Sequence, residues 1–218
     1  MSTYALIMAG GAGTRLWPLS RQRSPKQALR LVGERTMFQH SVDRVAELLP
    51  PERIFVATGA EQVAVLAEQA PELPFGNFIV EPSGRGTAPC IGLGALHLRR
   101  KDPAAVMAVV TADHYIQDAA RFRQALAAAQ QVAQAGHLVT LGITPSAPAT
   151  GYGYIEQGEP LATVDGFPVF RVDRFTEKPD LDTAIRMVES GRYSWNSGMF
   201  IWRVDRIMEE FERQMPEF

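Results

Sequence analysis

Leu6-Ile7-Met8-Ala9-Gly10-Gly11-Ala12-Gly13-Thr14-Arg15-Leu16-Trp17-Pro18-Leu19-Ser20, closed by Pro25-Lys26-Gln27, turns an apolar strand into a glycine loop that carries two cations, Arg15 and Lys26. Glycines this dense open backbone conformations that other residues avoid, and they let main-chain N–H groups approach an anion. The cations suit the oxygens of a triphosphate, Arg15 as a planar fork and Lys26 as a point charge. Taken alone, Lys26 reads as a solvated surface cation; its place beside the glycine loop reverses that reading. Two familiar phosphate loops fit poorly. Gly11-Ala12-Gly13 reaches Leu16 where a dinucleotide fingerprint needs glycine or alanine, and no Gly-Lys-Ser/Thr follows. Pro18 forbids an immediate long helix.

Outward from the loop, short apolar runs rich in β-branched residues alternate with segments of helical period, the pattern of a parallel sheet covered on both faces. Strands are predicted at 4–9, 54–58, 77–81, 106–111 and 138–143, and helices at 61–69, 88–100 and 119–135. Thr36 and Gln39 read as a capping box ahead of Phe38, Val42, Val45 and Leu49, which are apolar at helical spacing. After Gly142 the pattern changes to strands at 152–157, 169–176 and 197–202, with a helix at 180–189 among them. Ligands of open α/β sheets bind beyond the carboxyl ends of the strands, where the strand order switches. The glycine loop, Glu81 and Asp113 each follow a predicted strand directly, so all three are expected at one cleft.

With 218 residues and 46% hydrophobic composition, the chain can bury the core of one domain with at most a small appended lobe. A net charge of −2 and the lack of any lysine or arginine run leave no electrostatic footprint for nucleic acid or a membrane surface, so small soluble substrates are expected. The single cysteine, Cys90, excludes an internal disulfide and reads as a small buried residue. No secretory signal and no apolar run near the ~20 residues of a spanning helix are visible, which makes the cytoplasm the expected compartment.

Four further motifs follow the loop: Glu81-Pro82-Ser83-Gly84-Arg85-Gly86-Thr87-Ala88-Pro89; Thr111-Ala112-Asp113-His114-Tyr115-Ile116; Thr150-Gly151-Tyr152-Gly153-Tyr154-Ile155; and Phe175-Thr176-Glu177-Lys178-Pro179 with Trp195-Asn196-Ser197-Gly198-Met199-Phe200. In this order and over this span the set resembles the sugar-nucleotide pyrophosphorylases, and within them the guanylyltransferases that act on mannose 1-phosphate. The resemblance implies a Rossmann-like nucleotidyltransferase fold, an α/β architecture with a mostly parallel mixed sheet and helices on both faces. It implies that residues 1–143 hold the nucleotide and 144–218 the sugar. It further implies Mg²⁺ as cofactor, GTP and mannose 1-phosphate as substrates, and a homodimer in a longer form of the chain.

In such a reaction a phosphate oxygen of the hexose 1-phosphate attacks the α-phosphorus of the triphosphate, and pyrophosphate leaves from the opposite side. No protein nucleophile is needed; the site aligns two polyanions and offsets their charge. Asp113, just past the apolar run 106–110, is the candidate for the metal, although a carboxylate there could also cap a helix before Ala119. The resemblance gives catalytic roles to Arg15, Lys26 and Asp113. It gives nucleotide contacts to Ala9, Gly10, Gly11, Gly13, Thr14, Arg15, Lys26, Glu81, Gly84, Arg85 and Thr87. Sugar-phosphate contacts fall to Tyr152, Gly153, Glu177, Lys178 and Asn196. Plainer readings make Glu177 and Lys178 an exposed charged pair and Asn196 a turn residue. Pro179 is expected to bias Lys178 towards an extended conformation. As an acceptor-only carboxylate, Glu81 would match the two adjacent donors of guanine, unless Arg85 pairs with it.

Two features depart from the family pattern. Gly86 stands where asparagine is usual, and the second metal-binding aspartate of an Asp-Trp-Ser-Asp-Val-Gly-like segment does not occur in these residues; Asp205 reads as the cap of a helix near Arg206. The residues in hand are therefore expected to form a C-terminally incomplete domain, with half a metal site and some apolar surface uncovered. Two other readings fit the same residues: a pyrophosphorylase for another nucleotide and hexose, and a catalytically silent regulatory subunit.

Overall fold

The computed structural model describes residues 1–11, 16–21 and 24–217. Of the sequence-derived candidates, Gly13, Thr14 and Arg15 lie outside the described residues, as do Ala12 and Arg23. Four strands run parallel in the order β3 (Phe78–Glu81), β2 (Ile54–Gly59), β1 (Thr3–Met8) and β4 (Val106–Thr111). They are apolar almost throughout because both faces are covered. On one face Tyr4 and Leu6 join Phe55 and Met107 against α3 (Thr87–Lys101) and α6 (Val204–Gln214). On the other, Ala5 and Ile7 join Ile54 and Val56 against α1 (Met37–Ala46) and α2 (Ala60–Gln69), while Val106 and Ala108 meet α4 (Ala119–Gln134). Gly94 lets α3 close on the sheet, since a Cβ there would collide with the Leu6 side chain.

The remaining strands are antiparallel and are organised by β8 (Tyr193–Arg203), which pairs with β4, with β5 (Val139–Ile143) and with β6 (Gly153–Val164). The edge strand β7 (Phe167–Glu177) pairs with β6, and α5 (Leu181–Glu189) packs Ala184 and Met187 on Tyr154. All eight strands belong to one sheet. Between α3 and α6 runs an apolar groove of about 390 Å³ lined by Pro89, Leu93, Leu96, Met208, Phe211 and Met215. No helix among the described residues is long and apolar enough to cross a membrane.

Every predicted strand and helix is present, and the differences are at their ends. β6 continues to Val164, well beyond the expected 152–157, and β7 begins at Phe167, just before the expected 169–176; they meet at Asp165-Gly166 with φ of 50° and 81°. An Asp-Gly pair between apolar residues is the two-residue hairpin signal, and Val164-Asp165-Gly166-Phe167 carries it. The last helix starts at Val204, so Asp205 is not its cap: it lies in the first turn, where Oδ1 accepts from Arg206 N (2.7 Å) and the carboxylate pairs with Arg203.

Candidate functional site

β1 has β2 on one side and β4 on the other, so the strand order switches direction between β1 and β4. In open α/β sheets such a switch opens a crevice at the carboxyl edge. Ala9 leaves β1 into the glycine loop with its carbonyl held twice: Gln27 Nε2 donates to it at 2.5 Å and Thr58 Oγ1 at 3.0 Å. Both side chains are buried; Gln27 Nε2 donates its second proton to Gln62 Oε1 at 2.6 Å, and Thr58 Oγ1 lies 3.2 Å from the same oxygen. Gln27 was visible in the sequence only as the end of Pro-Lys-Gln. Thr58 and Gln62 carry no motif, so only the fold brings them to the root of the loop.

Lys26 reaches across the crevice to Asp113, with Nζ 3.0 Å from Oδ2. Two residues that the sequence treats separately, 87 positions apart, are therefore paired. Each side chain is still partly open to solvent, at 32% and 42%. On the other oxygen of Asp113, His114 Nε2 stands 3.9 Å away. Burial holds the His114 pKa below its ordinary value, with Asp113 opposing and Lys26 and Arg44 adding to the shift. The Asp113 carboxylate thus faces a lysine and an uncharged imidazole at neutral pH.

Glu81 ends β3, beyond β2, yet its carboxylate arrives at the loop: a Cβ on Gly10 would lie 2.6 Å from Glu81 Oε2. A side chain at position 10 would therefore displace the Glu81 carboxylate from where it now stands. Burial raises the Glu81 pKa, partly offset by the Cys90 thiol beside it, and burial likewise pushes the Cys90 thiol up to about 12. Cys90 is buried and un-ionised, as expected. Arg85 does not pair with Glu81 among the described residues; its Nε donates to Ser83 Oγ at 3.2 Å. Gly84 and Arg85 are exposed, and Thr87 opens α3. Gly86 precedes it at φ 91° and ψ −170°, a backbone region open essentially to glycine alone.

The other candidates meet on the antiparallel side. A Cβ on Gly153 would stand 2.7 Å from Glu177 Oε2 and 3.5 Å from Asn196 Cβ, so the three form one cluster. Asn196 lies within β8 and not in a turn, and its Oδ1 accepts from Gly198 N (3.0 Å). Gly198 in turn borders Thr111 at the mouth of β4, which links the cluster to the Asp113 edge. Tyr152 is exposed, with its ring edge-on to Trp195 at 5.0 Å. Lys178 is not extended: its φ is 45°, in the left-handed region, where its N–H donates to Tyr152 O (3.2 Å) as β7 ends. Its Nζ pairs with Glu177 Oε1 at 2.6 Å.

Residues 4–218 match the nucleotidyl transferase family. The chain belongs to that family. Among curated relatives, it is 45% identical over 218 residues to the mannose-1-phosphate guanylyltransferase of Escherichia coli (strain K12), covering 98% of this chain and 45% of that one. It is 45% identical over 211 residues to a Salmonella montevideo protein of the same description, covering 95% and 44%. A solved structure from Thermus thermophilus, described as mannose-1-phosphate geranyltransferase, superposes with a TM-score of 0.90 at 38% identity, covering 99% of this chain and 62% of that one. The chain thus spans about half the length of the curated relatives it matches.

Members of the nucleotidyl transferase family generally use a divalent metal ion. Among the described residues no three acidic, histidine or cysteine side chains gather into a metal-holding group. Asp113 supplies one accessible carboxylate. That donor set suits an ion that keeps its waters and shares the oxygens of a bound triphosphate, as Mg²⁺ does with one or two carboxylates, and does not suit an all-protein cage.

Proposed function

We propose that this nucleotidyl transferase forms GDP-mannose and pyrophosphate from GTP and mannose 1-phosphate. The observation that carries the reading is the shared edge of the sheet: the Lys26–Asp113 pair and, through Gly198 and Thr111, the Gly153, Glu177 and Asn196 cluster. The relatives named for this reaction support the choice of substrates.

On this reading residues 1–143 bind the nucleotide and 144–218 the sugar phosphate. The main chain from Ala9 through Gly10 and Gly11, with Gly13 and Thr14, cradles the phosphates. Arg15 and Lys26 offset their charge. Glu81 accepts from the donors of guanine beside Gly84, Arg85 and Thr87. Asp113 would hold Mg²⁺, which supplies further charge neutralisation when bound. Glu177, Asn196 and the backbone at Gly153 engage mannose hydroxyls near Tyr152, and Lys178 engages the phosphate. A sugar-phosphate oxygen forms the new bond to the α-phosphorus as the bond to the β-phosphate oxygen breaks, and pyrophosphate departs with that electron pair. The compartment this reading requires is one that holds both substrates, the cytoplasm.

The test is a matrix of four nucleoside triphosphates against mannose, glucose and galactose 1-phosphates with Mg²⁺, scored by pyrophosphate release. GTP with mannose 1-phosphate is expected to lead. A different leading pair would reassign the substrates, and silence across the matrix would favour a regulatory subunit.

A further inference from the structure

Arg44 is a buried cation that the reaction does not use. It lies on α1 with 6% of its surface exposed, and burial pushes its pKa down to about 10. Placing a guanidinium there costs solvation that a carboxylate partner would normally offset. No salt bridge to Arg44 occurs among the described residues; its neighbour Asp43 pairs instead with Arg35. Among the described residues Nη2 donates to Ser41 Oγ at 2.6 Å, the guanidinium carbon stands 5.9 Å from the centroid of Phe122 on α4, and Asp43 and His114 lie within electrostatic reach.

Ser41 is itself buried, and its Oγ donates to Thr111 O at 2.9 Å. Because the arginine fills an acceptor site of that hydroxyl, the serine proton is left to point at Thr111, and the two hydrogen bonds reinforce each other. Thr111 is the last residue of β4. The next amide, Ala112 N, donates to Met8 O at 3.1 Å, and Asp113 follows. The chain of contacts thus starts at a charged group within α1 and ends on the Thr111–Ala112 peptide, one residue before Asp113. A group retained at a cost in solvation, and directed at a residue of the candidate site, has the signature of function in place of stability.

We propose that Arg44, acting through Ser41, is a positioning residue that fixes the carboxyl end of β4 and with it the direction of Asp113. This rests on the reading of Asp113 as the metal carboxylate of the transfer reaction. Groups that orient a metal-binding side chain typically contribute about 10- to 100-fold to affinity or activity, and the lower end is expected for contact through a main-chain carbonyl.

The experiment compares the wild-type chain with Arg44→Met, which keeps the apolar bulk and removes the charge, and with Ser41→Ala, which breaks the relay and leaves the arginine. Three quantities are read: melting temperature, hydrogen exchange at the Ala112 amide, and steady-state kinetics of GDP-mannose formation. The expected result is a melting temperature held or raised in Arg44→Met, faster exchange at Ala112 in both variants, and a fall of about tenfold in kcat in both. The KM for mannose 1-phosphate should stay unchanged, and the double variant should be no worse than either single one, because both act on one path. A lowered melting temperature with wild-type kcat and exchange would make Arg44 a structural tie between α1 and α4 and would overturn the proposal, as would losses that add in the double variant. If Arg44→Met does not fold, Ser41→Ala decides by the same readings. A wild-type chain that makes no GDP-mannose would sink the substrate assignment, while the exchange at Ala112 would still decide whether Arg44 positions β4.

Discussion

Glu81 and Lys178 show what single residues give up to reach the site. The Glu81 carboxyl is raised by burial. An acid whose folded pKa lies above its unfolded value holds its proton more tightly when folded, so it is least costly at low pH; stability then falls as pH climbs from the ordinary value of about 4.3 through the folded one. The penalty is complete once the pH is above the folded value. Glu81→Gln is therefore expected to melt above the wild type near neutral pH, with the gap closing below the carboxylate range; melts across pH check this, and a gap independent of pH would exclude ionisation as its origin. Lys178 occupies left-handed backbone at φ 45°. That conformation costs a non-glycine residue on the order of 1–3 kcal/mol. On the proposed reading Lys178→Ala raises the KM for mannose 1-phosphate far more than that for GTP. Lys178→Gly, which relieves the backbone, should show the same split, because the lost cation and not the conformation is responsible. Equal rises for both substrates would remove Lys178 from the sugar side.

At the scale of elements, the cap of α1 binds sequence to stability most directly. Thr36 Oγ1 accepts from Gln39 N at 3.1 Å and Gln39 Oε1 accepts from Thr36 N at 3.0 Å, the reciprocal pair that Thr36 and Gln39 advertise in the sequence. Thr36→Ala should lower stability by about 1–2 kcal/mol, read by denaturant titration, and Thr36→Ser should restore most of it. Local signals of this kind explain why the elements were legible: β-branched runs, helical period and caps act within a few residues. Asp165-Gly166 was equally local and marks the hairpin that carries β6 and β7 past their expected ends. The meeting of Glu81 with the glycine loop was expected from its place after a strand, whereas the pairing of Lys26 with Asp113 and the clasp of Gln27 and Thr58 on Ala9 join segments far apart in the chain. No spacing in the chain encodes those; the strand order does. Lys178 shows the opposite failure, where a sound local bias from Pro179 yields to the hydrogen bond that Tyr152 offers at the end of the hairpin.

Across the whole molecule, β8 is the element that both sides share. Its end nearest α6 lies against β4, its middle carries β5, and its start pairs with β6. The core follows it, with Ile201 packed on the β4 and α4 side and Trp202 on the α3 and α6 side. The chain is therefore expected to unfold as one cooperative unit: in a Trp17→Phe background, the fluorescence of Trp195 and Trp202 and the far-ultraviolet circular dichroism should trace one coincident transition in urea. Separate midpoints would mean that the antiparallel side melts alone. The same strand also bears on how the protein can move. On the proposed reading a flexible joint between the nucleotide and sugar platforms would let them shut like a jaw, but one strand, β8, is hydrogen-bonded to β4 near one end and to β6 near the other, and bending it would tear its ladders. Occupancy should thus be felt in side chains and in the glycine loop, with the envelope of the molecule unaltered. Small-angle scattering with GTP and mannose 1-phosphate, each alone and Mg²⁺ present, is expected to give the radius of gyration of the free protein, and a contraction on binding would reveal a hinge in the sheet.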